Sequence, residues 1–418
     1  MSNRARVIYQ SEALYAGTVD ATGHHWSATT DGGTTFTSYA TKDAAEASGG
    51  TVRNEIHQLR RVQSANYSFT VNRQDVNQFG QLARVDSVAI DPPTVTLDLS
   101  YYLTNGVNES ILGFDVAGNN SALAGDVCLG TPTEDPSIAG KNFFILTTPE
   151  GKDAVGHDLT TDPDSKSVIA LGNGFVSNYS VEAAVGAMPT ANVTVDGLNL
   201  RSYTGTDKKP LPSVDIQQGT PIEGLDFSIP PAVTGLAGGD EGFGAEGVAC
   251  LRPGDITLKL GAGGAAGEFE QLPDGTTATE GTAHIQSVSI DVPMSRTPIQ
   301  RLGNPYGFTR VTDLPINISI TVSAIMSDLK EGNVADLLFD NDKHDLEVTL
   351  KEPKKGGGGD TAIKFTVKGA QLDGESFSSS IGDNKTVDLT FTAQVGGPED
   401  KTNGLFILGS DNALTLLS

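Results

Sequence analysis

Residues 62–103 and 285–326 align on each other without a gap at an offset of 223. Gln63/Gln286, Ser64/Ser287, Arg73/Arg296, Gly80/Gly303, Val88/Val311 and Pro92/Pro315 are identical. The apolar positions correspond too, among them Phe69/Val292, Val71/Met294, Val95/Ile318, Leu97/Ile320 and Leu99/Val322. Self-similarity at a fixed offset restricts the fold strongly, because both copies must settle into the same supersecondary unit. Few identities with this much shared pattern read as an old duplication. The flanks extend the match. Helix-like stretches follow at 108–114 and 328–339. Residues 168–200 and 363–395 both read as strand, Gly-containing turn, strand, polar turn, strand. VIYQSEALYAG (7–17) and VACLRPGDITLKLG (248–261) read as equivalent opening strands.

The expected organisation is a first domain over 1–205, a Pro/Gly-rich connector over 206–245, and a second domain over 246–418. Within the connector, 213–216 and 225–229 read as short strands. The Thr/Gly/Ala-rich stretch 18–51 reads as a long polar loop ending in a helix over 42–48, and 115–142 as a second Gly/Ala/Asp loop. KKGGGGD (354–360) reads as a hairpin tip. With 49 Gly, 20 Pro and abundant Thr, Val and Ser among 418 residues, the chain is expected to be all-β with minor α.

Lys and Arg number 28 and Asp and Glu 52, a formal charge of −24. That balance excludes a protein that gains affinity for nucleic acid by neutralising phosphates. Cys128 and Cys250 stand 122 residues apart without a CxxC partner, which argues against a disulfide framework and a structural zinc site. The N-terminal basic residues precede no long apolar run, so folding in the cytoplasm is expected and no membrane partner. GFGAEG (242–247) matches GxGxxG, but no strand precedes it and no helix follows. His24, His25 and Trp26 read as a loop tip. Asp340, Asp342 and His344 open a calcium-loop pattern that lacks its central Gly and terminal Glu. No catalytic residue, cofactor or metal ligand is expected, and a building block fits better than an enzyme.

NGFVSNYSVEAAVGAMPTANVTVDGLN (173–199) resembles the C-terminal strands of major tail tube proteins of tailed bacteriophages, where a Ser-Tyr-Ser-Val strand leads into Val-Gly-x-x-Pro-Thr and an alternating strand. The run QSANYSFTVNRQDVNQFGQLARVDSVAIDPPTVTLDLSYYL (63–103) is similar to phage tail proteins that form or cap the tube. The second copy departs from the pattern, since 372–395 lacks the Pro-Thr turn. The resemblance implies two tandem tail-tube-like domains, each of two packed antiparallel sheets with a flanking short helix. It also implies homotrimeric, pseudo-hexameric rings stacked into a virion tail tube that is assembled in the host cytoplasm. The 18–51 segment then corresponds to the element reaching the adjacent ring. Implied partners are sheath, tape-measure, and baseplate or tail-terminator proteins, with double-stranded DNA passing without specific binding. A baseplate or tail-terminus hub with two tube-like domains, or a decoration or adhesion β-sandwich protein, fits the same composition.

In 94–100 and 317–323 apolar residues alternate with Thr94, Thr96, Asp98 and Ser100, and with Asn317, Ser319, Thr321 and Ser323. The apolar set is expected to face a core. The polar set is expected to line a channel, although an ordinary solvated outer face has the same pattern.

Overall fold

The computed structural model describes residues 12–17, 26–29, 37–39, 47–48, 51–54, 56–125, 127, 140–148, 154, 167–204, 211–216, 218–221, 251–262, 283–304, 306–307, 309–326, 343–352, 360–378, 386–397 and 400–410. Alternating apolar residues between Gly, Pro and Asp turns make most of it strand. The first half runs β1 (Glu12–Gly17), β2 (Trp26–Thr29), β3 (Thr37–Tyr39), β4 (Thr51–Asn54), β5 (Ile56–Gln58), β6 (Val62–Thr70), β7 (Arg73–Val76), β8 (Asp86–Ala89) and β9 (Thr94–Tyr102). A short helix α1 (Val107–Leu112) follows, then β10 (Lys141–Thr147), β11 (Ser167–Ala184), β12 (Thr190–Gly197) and β13 (Asn199–Thr204). A two-stranded ribbon, β14 (Val214–Asp215) and β15 (Thr220–Pro221), leads toward the second half. That half runs β16 (Ile256–Ala262), β17 (Ala283–Pro293), β18 (Arg296–Ile299), β19 (Thr309–Thr312), β20 (Ile316–Met326), β21 (His344–Lys351), β22 (Thr361–Ser378), β23 (Thr386–Val395) and β24 (Gly404–Gly409).

Every pairing named here is antiparallel, and seven pairings of the first half have counterparts in the second. These are β1–β10 with β16–β21, β10–β11 with β21–β22, and β11–β13 with β22–β24; then β11–β12 with β22–β23, β12–β9 with β23–β20, β6–β9 with β17–β20, and β7–β8 with β18–β19. Irregularities recur with them. The β6–β9 register shifts between Val62 and Ser64 and the β17–β20 register between Ile285 and Ser287, again at 223. The two hairpin tips turn alike: Gln81 N–H donates to Gln78 C=O and Asn304 N–H to Arg301 C=O, with Gly80 (φ 88°) and Gly303 (φ 86°) at the third position. A left-handed φ there is what glycine tolerates at little cost.

The reading of 168–200 as three strands around a Gly turn needs correction. Gly172-Asn173-Gly174 is a corner inside one 18-residue strand, β11. Residues 167–172 pair with β13 and lie beside β10, whereas 178–184 pair with β12 and β17. Asn173 takes φ 51° and holds the corner by exchanging bonds with Val214: its Nδ2 donates to Val214 C=O (3.1 Å) and its Oδ1 accepts from Val214 N–H (2.7 Å). β22 turns the same corner at Gly369 (φ 72°). Matched through their corners and bulges, β11 and β22 stand 196 apart, and the second half's third strand, β24, lies beyond 363–395.

The strand corners split each half into two layers. β5–β1–β10–β11–β13 and β16–β21–β22–β24 form smaller sheets. The second parts of β11 and β22 belong to one larger sheet in the order β6–β9–β12–β11–β17–β20–β23–β22. The core between layers is a single apolar cluster that draws Leu14 and Phe143 from one layer, Leu97 and Tyr179 from the other, and Ile320, Phe365 and Phe391 from the second half. α1 lies wholly inside it. Asn108 Oδ1 accepts from Arg60 N–H (2.7 Å), and Glu109 Oε1 accepts from the Tyr101 and Tyr179 hydroxyls (2.9 and 3.1 Å). Burial pushes the Glu109 carboxyl above the usual carboxylate range, because a charge there has lost its water.

The helix expected over 108–114 is present as α1. The expected helix over 328–339, the strand over 225–229 and the Gly tip at 354–360 lie outside the described residues, save Asp360. So does most of 42–48. The 18–51 segment is not simply a loop: β2 pairs with both β3 and β4 in a three-stranded sheet. Nor is 115–142 a plain surface loop. Val116, Ala122 and Leu123 are buried, and Gly409 N–H donates to Val116 C=O (2.9 Å), tying the first half to β24.

Candidate functional site

Strand alternation sends one side chain in two to each face of a sheet. In the eight-stranded sheet one face meets the core. The other carries Thr94, Thr96, Asp98 and Ser100 from β9 and Asn317, Ser319, Thr321 and Ser323 from β20. All eight residues singled out from the sequence therefore share a face, but in two groups, since β12, β11 and β17 run between β9 and β20. Sequence reading missed those intervening residues: Asn192, Thr194 and Asp196; Asn178, Ser180 and Glu182; Ser287, Ser289 and Asp291. It also missed Asp388, Thr390 and Thr392 of β23. The alternation that reveals them was legible in NYSVEAA and TVDLTFTAQV.

The face is knit across its strands. Ser64 and Ser100 share a hydroxyl bond at 2.7 Å, and Ser68 and Thr96 at 2.6 Å. Thr194 donates to Asp98 (2.8 Å), Asn178 to Asp291 (3.2 Å), Thr392 to Asp373 (2.6 Å) and Gln394 to Asn317 (3.1 Å). The segments that build the sheet contain no Lys or Arg, although the chain has 28. Glu182, Asp98, Asp196, Asp291, Asp373 and Asp388 give the face its sign.

The halves join where β17 lies against 178–184 of β11, Asn178 opposite Pro293 through Ala184 opposite Ser287. Met294 N–H donates to Ser177 C=O and Val185 N–H to Gln286 C=O, each at 2.8 Å. The β18–β19 hairpin continues the joint. Arg296 stacks over the Phe175 ring at 4.2 Å and donates to Val127 C=O (2.6 Å). Arg310 donates to the Asp196 and Gly197 carbonyls (3.1 and 3.3 Å). A groove of about 300 Å³ beside these arginines is lined by Asp91, Pro93, Phe175, Arg296 and Arg310. Both guanidiniums donate to backbone carbonyls of the first half, so the groove belongs to the joint between the halves. Among the described residues no group of three or more His, Cys, Asp and Glu is placed to hold a metal ion.

The matching strand of the first half is differently situated. Among the described residues β6 pairs only with β9, and Tyr67 and Phe69 are 45% and 50% exposed. Their counterparts Ile290 and Val292 are 2% and 0% exposed. The β7–β8 hairpin projects with Phe79 and Leu82 fully exposed.

No protein-family model matches the chain, and no curated protein matches it. Solved structures similar to part of it include the following three. A chain in the tail of an empty GTA (gene transfer agent) particle with C6 symmetry is 14% identical, covering 35% of this chain and 99% of that one (TM-score 0.23). The SPP1 tail tube is 9% identical, covering 39% and 82% (TM-score 0.23), and an Hcp protein 10% identical, covering 37% and 98% (TM-score 0.22).

Proposed function

We propose that the chain is a structural virion protein: a subunit of a phage tail tube, formed by tandem duplication of one tube domain. Three copies close a pseudo-hexameric ring, and rings stack into a channel for genome ejection. The observation that carries this reading is the single sheet running through both halves, with one face sealed on the core and the other polar, acidic and without Lys or Arg. A sheet continued from copy to copy closes into a cylinder with that face toward the lumen.

Such a wall suits passage of DNA. Duplex DNA carries one charge per ~1.7 Å and gains affinity by releasing counterions onto basic surfaces. An acidic, hydroxylated wall offers no such gain. Repulsion is screened over about 8 Å at physiological salt, so it acts when the duplex drifts toward the wall. The 18–51 segment is assigned to contact with the next ring, and sheath, tape-measure and terminator proteins to the ends and outside of the tube.

Electron microscopy of the purified protein at high concentration tests the reading. Hollow filaments or rings with six-fold end views are expected. Monodisperse particles or solid fibres overturn it.

A further inference from the structure

The chain contains one joint of a kind that its own geometry calls for twice. Seven pairings of the first half are matched in the second, and β17 is the counterpart of β6 while β22 is the counterpart of β11. β17 fills the slot beside 178–184 of β11. Among the described residues the corresponding slot beside 374–378 of β22 is unfilled, since those residues pair with β23 alone, and β6 has no partner strand on its outer side. The two open edges lie at opposite ends of the eight-stranded sheet, roughly 34 Å apart at ~4.8 Å per strand, so one chain cannot close them on itself. An open edge with half-exposed aromatics templates association.

We propose that β6 of a second copy of this chain fills the slot beside β22, in the register copied from the internal joint. The inference rests on the reading of the chain as a self-assembling subunit and names the contact. Offsets of 223 and 196 carry Asn178–Pro293 to Gly374–Thr70 and Ser180–Asp291 to Ser376–Ser68. The hydrogen bonds flanking the joint, Met294 to Ser177 and Val185 to Gln286, make Ser180 and Asp291 a non-hydrogen-bonded pair. Such pairs bring Cα atoms to about 4.5 Å. Over 374–378 the joint's backbone ladder transfers, because it needs no particular side chain. The arginine stacking does not: Arg73 stands in Arg296's place, but Gln371 stands in Phe175's.

The Ser376–Ser68 pair makes the register measurable, since a disulfide needs Cα atoms within about 4.4–6.8 Å. In a chain with Cys128→Ser and Cys250→Ser, one preparation carries Ser68→Cys and another Ser376→Cys. Under mild oxidation the mixture is expected to form disulfide-linked dimers on a non-reducing gel, each preparation alone far fewer. Ser64→Cys mixed with Ser376→Cys, four residues out of register, is expected to give no more than the single preparations. Equal linkage from both mixtures, or none from Ser68→Cys with Ser376→Cys, overturns the proposal. Microscopy of the same samples separates the two readings. Hollow assemblies without the linkage overturn this contact and spare the tube. The linkage without hollow assemblies upholds the contact and removes the tube.

Discussion

β6 and β17 come from matching sequence, pair with matching strands at matching bulges, and end in opposite surroundings. β17 is sandwiched between β11 and β20, and its Ile290 and Val292 vanish into the core. β6 has β9 on one side and nothing described on the other, and its Tyr67 and Phe69 stay half in water. The difference is a missing neighbour rather than a different strand. Exposed large apolar residues in a soluble chain mark binding surfaces when they form a contiguous patch. Here Tyr67, Phe69, Val76, Phe79, Leu82, Val88 and Ile90 fall on one edge strand, its hairpin and the link beyond it.

The largest expected effect separates the two strands directly. Ile290→Ala removes packing from a filled joint and is expected to cost about 2–5 kcal/mol in the dilute monomer. Tyr67→Ala at the equivalent place is expected to cost under about 1 kcal/mol, as for surface changes generally, while abolishing assembly. Urea unfolding at low concentration reads the first quantity and sedimentation the second. Equal costs in the monomer break the comparison, since β6 is then already covered.

The identical arginines sharpen it. Arg296 stacks on Phe175 and donates to Val127 and Arg310 carbonyls, whereas Arg73 sits on the exposed hairpin. A charged hydrogen bond contributes about 1.5–3 kcal/mol and an aromatic stack about 0.5–2. Because the two act on one group and do not add, Arg296→Ala is expected to lose roughly 2–3 kcal/mol. Arg73→Ala is expected to change monomer stability by less than about 0.5 kcal/mol. Both are read from urea midpoints.

The two corners follow. Asn173→Gly keeps the left-handed backbone but drops both bonds to Val214, an expected loss of about 1–2 kcal/mol. At Gly369 the backbone is the same but the side chain is absent. There Gly369→Ala is expected to lose about 1–2 kcal/mol for a different reason, left-handed strain, and its Cβ meets Asn403 Oδ1. Thermal unfolding of both variants tests whether one corner is held by bonds and the other by the lack of a Cβ.

The alternation of β9 and β20 and the short helix at 108–114 were legible because each is a local pattern. The eight polar residues chosen from that alternation do share one face. Which strands lie between them was not legible, since β17 reaches β11 across more than a hundred residues of sequence. The corner at Asn173 misled for a physical reason: Gly-Asn-Gly is turn chemistry, and the chain spends the left-handed residue on bending a strand instead of reversing it. Phe69 matches Val292 as an apolar position, yet it stays half exposed. Periodicity tells which face is apolar but not whether anything covers it.

The smallest expected effect lies on the projecting hairpin. Arg310 anchors the docked hairpin to two carbonyls of the first half, but its counterpart in β8 is Ser87, so the free hairpin lacks that anchor. It carries instead an Arg84–Asp75 pair at 2.8 Å, with side chains 61% and 50% exposed. An exposed pair gains little in water and must order two side chains, so Arg84→Ala is expected to cost only about 0–0.5 kcal/mol. Whatever it costs should disappear at 1 M salt, where screening acts within about 3 Å. Arg310→Ala gives up bonds to buried carbonyls and is expected to lose about 1–3 kcal/mol, largely insensitive to salt. Urea midpoints in low and high salt compare them. If Arg84→Ala costs as much as Arg310→Ala, the projecting hairpin is held to its own chain as firmly as the docked one, and it is not an arm held out for a neighbour.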